Sequence, residues 1–385
     1  MRILVVLTYY RPHTSGLTIY AERLSKALVK RGHKVTVLTS HFDPATPREE
    51  VLDGVHIRRV PVLARVGKGV IMPQFGLIAA KLIKAHDVIH LHLPQFDAVT
   101  AAIMGLLLRK PMVITYHCDL LLPPGLVNRI VNLGMSIVNH VTAFFANRIV
   151  AYTHDFAEHS SLLSKYKNKL TIIQPPVELP EASHSEIKGF SIENETDGFF
   201  PIIGMASRFA SEKGVEILLD ALPKVIAQYP KLKVLFAGTY QEVKGEEAYF
   251  ERLYPIIKTY QDHSQWQFLG NLSPKQMAAF YRNLDVLVLP SLNSTESFGL
   301  VQIEAMINGT PCVASALPGV RQPIRQHGMG KVVPIGDSGE LAQAIIDIAD
   351  QKEKYVCDPE PIKAHYQPDQ VAKAYEDLFS SLLPK

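Results

Sequence analysis

The stretch DVLVLPSLNSTESFGLVQIEAMINGTP, residues 285–311, decides the fold. Residues 285–289 form a short apolar run rich in β-branched side chains, which predicts a strand buried on both faces of a parallel sheet. A polar loop follows as far as Ser297. Apolar residues then recur at helical spacing from about Phe298, until Gly309 caps the helix and Pro311 stops it. The pattern predicts a helix N-terminus at the carboxyl end of a parallel strand.

This junction carries groups that suit both phosphates and hydroxyls. The first backbone N–H groups of a helix have no partner within it and favour an anion, so the amides of Phe298, Gly299 and Leu300 are candidates to bind a phosphate or a sugar hydroxyl. Glu296 and Glu304 would repel a phosphate, but carboxylates accept hydrogen bonds from sugar or ribose hydroxyls. Together the groups indicate a nucleotide-sugar site. The alternative is a solvated loop glutamate beside an unrelated helix-face glutamate.

Composition bounds the class of protein. The chain has 385 residues, 47% hydrophobic and 20% charged, which predicts a globular protein of about two domains. Its three cysteines, Cys118, Cys312 and Cys357, are far apart, which argues against a disulfide framework or a zinc cluster and suits a reducing cytoplasm. The apolar run at residues 3–7 lacks a cleavage site and is interpreted as a first strand rather than a signal peptide. We find no uninterrupted apolar span of about 18 residues.

The net charge of +3 hides an asymmetry between the two halves. Residues 1–174 hold 21 Lys and Arg against 10 Asp and Glu, whereas the remainder holds 19 against 27. A basic half suggests an anionic acceptor or an anionic membrane surface on that side, although undirected drift of surface charge fits equally well. No nucleic-acid partner is expected.

One segment of this basic half is a candidate for binding to an anionic lipid surface. Residues 120–150 are mostly apolar and follow a single acid, Asp119. The cations assigned to the same surface are Arg129, His140 and Arg148 within or beside the segment, and Arg58, Arg59, Arg65, Lys68, Lys81 and Lys84 elsewhere in that half. The alternative is a core helix with ordinary surface charge.

Short apolar runs alternate with helical patterns along most of the chain, which is typical of doubly wound parallel sheets. Strands are predicted near residues 2–7, 34–39, 55–60, 87–91, 111–116, 148–152 and 169–173. From Gln174 the sequence becomes rich in Pro, Ser and acid, which indicates a linker and a solvent loop. The alternation restarts with strands near 201–207, 232–237, 266–269, 285–289 and 311–315.

The predicted fold class is therefore α/β, with two Rossmann-like domains of doubly wound parallel sheet facing a cleft. The N-terminal domain covers residues 1–174, a linker with an acidic loop covers 175–200, and the C-terminal domain covers 201–368. A last amphipathic helix at about 369–385 needs a surface to cover.

Two cations follow the predicted strand at 201–207. Arg208 and Lys213 flank or lie in the loop FASEKG, residues 209–214, near the proposed phosphate-binding helix. Fixed cations there could stabilise a pyrophosphate as it becomes a leaving group. Because the helix dipole disfavours cations at a helix start, an anionic ligand is favoured over ordinary basic residues.

Gly16 and His117 are the candidates in the first domain. Gly16 follows Ser15 at the start of the first helix, where its backbone could approach a phosphate or an acceptor, although the GxGxxG fingerprint is absent. His117 follows the strand predicted at 111–116, which places an imidazole at a strand end. A lone histidine is more often structural, so both roles stay open.

With these residues assembled, the chain resembles retaining glycosyltransferases of the GT-B architecture, specifically glycosyltransferase family four. The most specific segments are SRFASEKG (207–214), TESFGLVQIEAM (295–306), VASALPGVRQPI (313–324) and HGMGKVVPIGD (327–337). Two positions depart from the family pattern. Ser15-Gly16 stands where the family usually has Gly-Gly, and the segment 319–322, Gly-Val-Arg-Gln, stands where it often has Gly-Ile/Val-Pro-Glu.

The resemblance implies roles for the candidate residues. Arg208 and Lys213 would bind the donor diphosphate, and Glu304 would hold the ribose. Glu296 would hold a donor-sugar hydroxyl with help from the amides of residues 298–300, and His117 would contact the donor sugar. The resemblance also implies that the last helix packs back on the first domain.

We therefore expect a cytoplasmic enzyme, peripheral at most on the inner membrane face, that transfers a sugar from a UDP- or GDP-sugar to a hydroxyl acceptor with retention. Glycolipid or cell-envelope polysaccharide synthesis is the expected setting. No tightly bound cofactor or metal is expected, because no Asp-x-Asp motif is present. A nucleotide-sugar epimerase, or a sensor that binds without turnover, fits the same residues.

Overall fold

The computed structural model describes residues 1–66, 69–121 and 125–384. The chain divides into two compact units. Unit 1 contains Met1–Pro176 together with the described residues from Tyr366 onward, and unit 2 contains Val177–His365. Each unit has a largely parallel sheet with helices, which confirms the predicted α/β class.

Unit 1 is built on a sheet ordered β10-β9-β8-β7-β1-β2-β4-β3. The strands of this unit are β1 (Arg2–Val6), β2 (Lys34–His41), β3 (Glu49–Leu52), β4 (Val55–Pro61), β5 (Ala64–Val66), β6 (Gly69–Ile71), β7 (Val88–Leu93), β8 (Met112–Tyr116), β9 (Arg148–Ala151) and β10 (Leu170–Ile172). The edge strand β3 pairs antiparallel with β4, and the other neighbours in this sheet run parallel. The apolar runs of β1 and β7 are buried, as strands covered on both faces require.

The helices of unit 1 before its last are α1 (Gly16–Lys30), α2 (Phe75–Ala85), α3 (Ala98–Leu107), α4 (Leu126–Phe145) and α5 (His154–His159). The N-terminus of α1 is capped by Ser15, whose hydroxyl accepts a hydrogen bond from the Thr18 amide at 3.2 Å. Gly16 is therefore the first helical residue after the β1 loop.

Unit 2 has a parallel sheet ordered β13-β12-β11-β14-β15-β16. Its strands are β11 (Ile202–Ala206), β12 (Lys233–Ala237), β13 (Trp266–Gly270), β14 (Val286–Leu289), β15 (Cys312–Ser315) and β16 (Gly330–Val333). Its helices are α6 (His184–Glu193), α7 (Val215–Gln228), α8 (Glu247–Asp262), α9 (Pro274–Arg282), α10 (Leu300–Met306), α11 (Gln322–His327), α12 (Ser338–Asp350) and α13 (Pro359–Tyr366). Chain order reverses between β11 and β14, which is the topological switch point where such sheets bind ligands.

The last helix, α14 (Pro368–Ser380), packs on α1 inside unit 1. The Tyr375 hydroxyl lies 2.6 Å from the Tyr20 hydroxyl, and Arg31 pairs with Glu376 at 2.7 Å. The apolar face of this helix is buried at Val371, Tyr375 and Phe379.

Every strand named from the sequence is present within one or two residues, but four short ones were missed. These are β3, β5, β6 and β16, each three or four residues long. The β3 sequence EEVL carries charge at an exposed edge, and β16 begins with glycine and lysine, so neither shows the apolar run on which strand prediction depends.

The predicted linker and acidic loop, residues 175–200, contain a helix that was not predicted from the sequence. Helix α6 lies there, closed by a capping box in which Ser183 and Glu186 bond each other's backbone. Its Phe190 is buried and meets Phe280 of α9 at a ring-centroid distance of 6.4 Å. Helix α6 is short and has few apolar residues, so its periodicity is weak, although the Ser-x-x-Glu signature was readable.

Candidate functional site

The carboxyl ends of β11 and β14 hold a lysine–glutamate pair in unit 2. Lys213 Nζ lies 2.7 Å from Glu296 Oε2. The other carboxylate oxygen, Oε1, accepts the Gly299 N–H at 3.0 Å. These side chains are 14% and 19% exposed, so the pair is neither free in solvent nor sealed in the core. The structure thus brings three of the residues singled out in the sequence into one hydrogen-bonded group.

A glycine places Lys213 at this strand end. Residues Ser211–Lys213 form a 3-10 turn after β11, and Gly214 follows with φ 69°. A Cβ on Gly214 would lie 2.2 Å from the carbonyl oxygen of Pro290, which ends β14. The Leu292 N–H also donates to the Glu212 carbonyl at 2.9 Å. Only glycine fits there, because its missing side chain lets the two strand-end loops lie backbone to backbone.

A second glycine shapes the start of α10. Gly299 has φ 79°, and a Cβ there would lie 2.4 Å from Leu289 Cδ2. The helix begins at Leu300 and ends at Met306, so its predicted start at about Phe298 is wrong by two residues. Phe298 precedes the helix as a buried ring, and its carbonyl accepts from Gln302 Nε2 at 2.9 Å. The predicted amide donors therefore lie at the junction, with that of Gly299 bonded to Glu296.

Arg208 lies beside this group with a different partner. Its Nη2 donates to Glu212 Oε1 at 2.8 Å, and its side chain is 42% exposed. Glu212 was not identified from the sequence, although an acid four residues after an arginine is a recognisable pair. Both candidate cations are thus held by carboxylates, Arg208 by Glu212 of its own loop and Lys213 by Glu296 of the loop after β14.

Glu304 lies inside α10 and is 7% exposed. One of its carboxylate oxygens, Oε2, accepts the Tyr281 hydroxyl at 3.0 Å. A buried carboxylate needs such partners, because leaving a charged group unpaired in the interior is costly. Tyr281 was not identified from the sequence, where it is one more aromatic residue of α9.

In unit 1, His117 follows β8 and both its ring nitrogens are engaged. Its Nε2 lies 2.8 Å from Nδ1 of His92, and its Nδ1 meets the Tyr152 hydroxyl. The Tyr20 ring stands edge-on to the imidazole with centroids 5.0 Å apart. Burial, reinforced by the neighbouring His92, lowers the pKa of His117 well below its usual value, so the imidazole is neutral.

The histidine is one part of a larger buried network. Burial also lowers the pKa of His92 to about 3. His90 lies two residues before it on β7, and His90 Nε2 meets the Thr115 hydroxyl at 2.7 Å. Thr115 in turn meets Tyr375 of α14 at 2.6 Å. The signal that could have found this network is the alternation His-x-His in VIHLHL, which puts both rings on one face of a strand.

Helix α4 carries an exposed apolar stripe, here called the apolar face: Leu126, Ile130, Leu133, Ile137 and Phe144, each between 56% and 78% exposed. Its neighbour α3, on which α4 packs, exposes Leu106 and Leu107 as well. Helices α2, α3 and α4 contain no Asp or Glu, whereas Lys81, Lys84 and Arg129 are exposed cations among them. An apolar stripe of this extent on a surface is a signal of an interaction site.

Two of the predicted lipid-facing cations do not fit that role. Arg59 is 1% exposed and is bound to Glu50 and to the carbonyls of Pro47 and Arg11, so its assignment to a surface is wrong. Arg58 is paired with Glu49 on the β3–β4 hairpin. Lys68, and residues 122–124 of the predicted segment, lie outside the described residues.

Among residues 1–66, 69–121 and 125–384, no group of three or more His, Cys, Asp or Glu is arranged to hold a metal ion. Within the same ranges, no helix is long and apolar enough to cross a membrane.

Two family models match nearly the whole chain. The model "Glycosyltransferase Family 4" covers residues 14–180, and "Glycosyl transferases group 1" covers residues 190–356. The chain belongs to glycosyltransferase family four. This GT-B glycosyltransferase thus has one family model on each of its two units.

Two relatives of this glycosyltransferase have names that refer to glycolipid synthesis. It is 26% identical to the phosphatidyl-myo-inositol mannosyltransferase of Mycolicibacterium smegmatis, over 90% of this chain and 84% of that protein. It is 24% identical to the α-monoglucosyldiacylglycerol synthase of Streptococcus pneumoniae, over 92% of this chain and 80% of that protein.

Among solved structures, it is similar to HepE of Anabaena in complex with UDP-glucose. The TM-score is 0.78 at 20% identity, with 99% of this chain and 100% of that chain covered. This likeness confirms the GT-B fold class.

Proposed function

We propose that this glycosyltransferase moves a sugar from a UDP- or GDP-sugar to a hydroxyl of a lipid-linked acceptor, with retention of anomeric configuration. Unit 2 binds the donor and unit 1 binds the acceptor, which corresponds to the predicted domains 201–368 and 1–174. The observation that carries the proposal is the hydrogen-bonded group of Lys213, Glu296 and Gly299 at the switch point of unit 2.

That group offers complementary partners to the two ends of a nucleotide-sugar. Lys213 and Arg208 exchange their carboxylate partners for oxygens of the diphosphate, where charge grows as the donor bond breaks. Glu296, released from Lys213, accepts a hydroxyl of the donor sugar. The backbone amides of residues 298–300 supply neutral donors beside it. Lys213, Arg208 and Glu296 therefore each have a partner with and without the donor.

Glu304 holds the ribose of the donor. Its carboxylate is oriented by Tyr281, whose hydroxyl donates to one of its oxygens. A carboxylate accepts several hydrogen bonds, so a ribose hydroxyl is a further donor to it. Because the ribose is remote from the reacting carbon, this contact supports binding rather than chemistry.

The proposed chemistry is departure of the nucleoside diphosphate and attack of the acceptor hydroxyl on the same face of the sugar. The carbon–oxygen bond to the diphosphate breaks as the bond to the acceptor forms, and a leaving phosphate oxygen takes the acceptor proton. His117 contacts the donor sugar as a neutral imidazole, so it contributes position rather than acid catalysis. Gly16 brings the start of α1 close to the bound substrates.

The lipid acceptor is supported by the apolar face as well as by the relatives' names. Helices that are apolar on an exposed stripe and carry cations without acids bind anionic lipid surfaces through both effects. The proposal places unit 1 on the cytoplasmic side of a membrane, with α4 against the lipid.

Donor consumption that depends on an added acceptor tests the activity. UDP- and GDP-sugars are offered with and without detergent-dispersed glycolipid precursors, and the anomeric configuration of the product is read by NMR. Product formed from the donor alone would instead identify an epimerase. Tight nucleotide-sugar binding without turnover would identify a sensor.

Sedimentation with anionic vesicles tests the membrane placement. We expect salt-sensitive binding by the unaltered protein and at least tenfold weaker binding by the double variant Ile130→Glu, Leu133→Glu. The matched control is Ile192→Glu, which changes an equally exposed isoleucine on α6 of unit 2. Equal binding by all three proteins would remove the apolar face from the proposal.

A further inference from the structure

The loop after β7 lies at the switch point of unit 1. Strand β1 stands between β2 and β7, and the chain runs outward from β1 through β2 in one direction and from β7 through β8 in the other. Loops that leave the carboxyl ends of two such strands border the crevice where open α/β sheets bind ligands. The β7 loop is residues 94–97, and it lies beside the end of β8, because the His117 N–H donates to the Leu93 carbonyl at 2.9 Å.

Gln95, in this loop, is 3% exposed. Neither Oε1 nor Nε2 of its amide has a hydrogen-bond partner among the described residues. A buried amide without a hydrogen-bond partner destabilises the folded state, and native proteins rarely keep one without a reason. Nε2 of His92, three residues earlier and 1% exposed, also lacks a partner among the described residues.

We propose that Gln95 binds hydroxyl groups of the acceptor and so helps to decide which acceptor is used. This inference rests on the proposed function, whose acceptor site it specifies. A primary amide presents an oxygen that accepts and an NH₂ that donates, which matches a pair of neighbouring hydroxyls that do both. The two histidines at this strand end are neutral, so the ligand that fits is an uncharged polyol or sugar rather than a phosphate.

The next residue connects this amide to the apolar face. Phe96 is 45% exposed, and its ring lies 3.7 Å from the position that a Cβ on Gly134 of α4 would occupy. Two consecutive residues therefore present an exposed ring beside the proposed lipid-facing helix and a hydrogen-bonding group at the strand end. That order suits an amphiphilic acceptor, with acyl chains toward Phe96 and a hydroxylated headgroup toward Gln95.

The variant Gln95→Met tests the inference, because methionine keeps the length and volume but removes both hydrogen-bonding groups. We expect the acceptor KM to rise at least tenfold, with the donor KM and nucleotide affinity unchanged. The melting temperature without substrates should stay the same or rise, because a buried unpaired amide is removed. A merely structural glutamine would instead lower it. Gln95→Asn, which keeps an amide, should recover part of the acceptor affinity.

The control is Gln267→Met in unit 2, whose side-chain amide donates to Asn194 Oδ1 at 2.9 Å. This variant should lose thermal stability and keep its acceptor KM. A normal acceptor KM in Gln95→Met, or a lowered melting temperature with all kinetic constants altered, overturns the inference.

A second readout does not need transfer. The Gln95 side-chain amide resonance, identified by its loss in Gln95→Met, should shift when glycerol or a methyl glycoside is titrated and stay unchanged with inorganic phosphate. A shift in a protein that transfers no sugar would support the inference while the proposed function fails. An unchanged resonance with every polyol counts against the inference even if transfer is observed.

Discussion

The candidate regions of the two units differ in the kind of group they bury. In unit 2, Lys213 and Glu296 are ionised partners that keep 14% and 19% of their side-chain surface exposed. In unit 1, His92 and His117 are neutral rings in a network with less than a tenth of their surface exposed. One region thus offers charged groups at the edge of solvent, and the other offers neutral hydrogen-bonding groups that are buried.

The difference matches the chemistry of the two proposed substrates. A diphosphate is strongly charged, and cations that already hold exchangeable carboxylate partners can accept it without creating an unpaired ion. An acceptor hydroxyl and a sugar ring are neutral, and neutral donors and acceptors of fixed geometry discriminate between them by leaving unmatched groups unpaired. The proposed donor and acceptor halves therefore make separate predictions.

The largest effect is expected for Lys213→Ala. If Lys213 neutralises charge that grows as the diphosphate leaves, kcat should fall about thirty- to a thousandfold, or roughly 2 to 4 kcal/mol. The loss should appear in kcat as well as in donor binding, because the contact strengthens in the transition state. Steady-state kinetics measures both.

The control for that variant is Lys224→Ala, which removes an exposed lysine of α7 in the same unit. It should leave both constants unchanged. A near-normal kcat in Lys213→Ala would end the leaving-group role and weaken the contrast between the units.

A smaller and different effect is expected for Glu304→Gln. Loss of a charged ribose contact should weaken donor binding by about 1.5 to 3 kcal/mol. The donor KM should rise accordingly, while kcat changes little. Tyr281→Phe separates orientation from charge, since it removes the hydroxyl bonded to Glu304 but keeps the carboxylate. Its donor KM should lie between those of the unaltered protein and Glu304→Gln. A large kcat defect in Glu304→Gln would place this residue nearer the chemistry.

The sequence predicted the candidate site of unit 2 far better than the buried network of unit 1. Strand β14, the loop and α10 follow from an apolar run, a glycine and helical spacing, and the residues Arg208, Lys213 and Glu296 follow from their positions at strand ends. Local patterns suffice there, because each group lies within a few residues of a strand end.

The buried network of unit 1 depends on contacts between distant parts of the chain. Tyr375 reaches Tyr20 across 355 positions, and Tyr152 reaches His117 across 35. No local pattern reveals which tyrosine will meet which histidine, and an orphan amide such as Gln95 is visible only once burial and partners are known. Helix α6 shows a third limit of sequence-based prediction. It has too few apolar residues for a helical periodicity, so its capping box was the one local signal.

His117→Ala should reduce transfer about three- to tenfold, as expected for losing one neutral contact with the donor sugar, and leave the affinity for the free nucleoside diphosphate almost unchanged. Burial lowers the pKa of His117, so the imidazole is neutral. The pH profile of transfer between about pH 5 and 8 should therefore have the same shape in His117→Ala as in the unaltered protein. Tyr152→Phe keeps the imidazole and should retain most of the activity. Normal transfer by His117→Ala would return that histidine to a structural role.

The smallest effect concerns Asp97, the one carboxyl group in the β7 loop beside Gln95. Burial raises the pKa of Asp97 from 3.8 to about 6. Because the folded value is the higher one, this group stabilises the folded protein below about pH 4, and that contribution is lost as the pH rises through about 6. The full shift corresponds to about 3 kcal/mol, and partial exposure reduces this to roughly 1 to 2 kcal/mol.

Asp97→Asn, which cannot ionise, should therefore be more stable than the unaltered protein at pH 8 and about equally stable at pH 4. Urea unfolding at the two pH values measures the difference, with Glu158→Gln, an exposed carboxylate on α5, as the matched control. If the stability advantage of Asp97→Asn does not increase between pH 4 and 8, the carboxyl group of Asp97 is better solvated than its burial indicates. The contrast between buried neutral groups in unit 1 and partly exposed charged groups in unit 2 would then hold only for the histidine network.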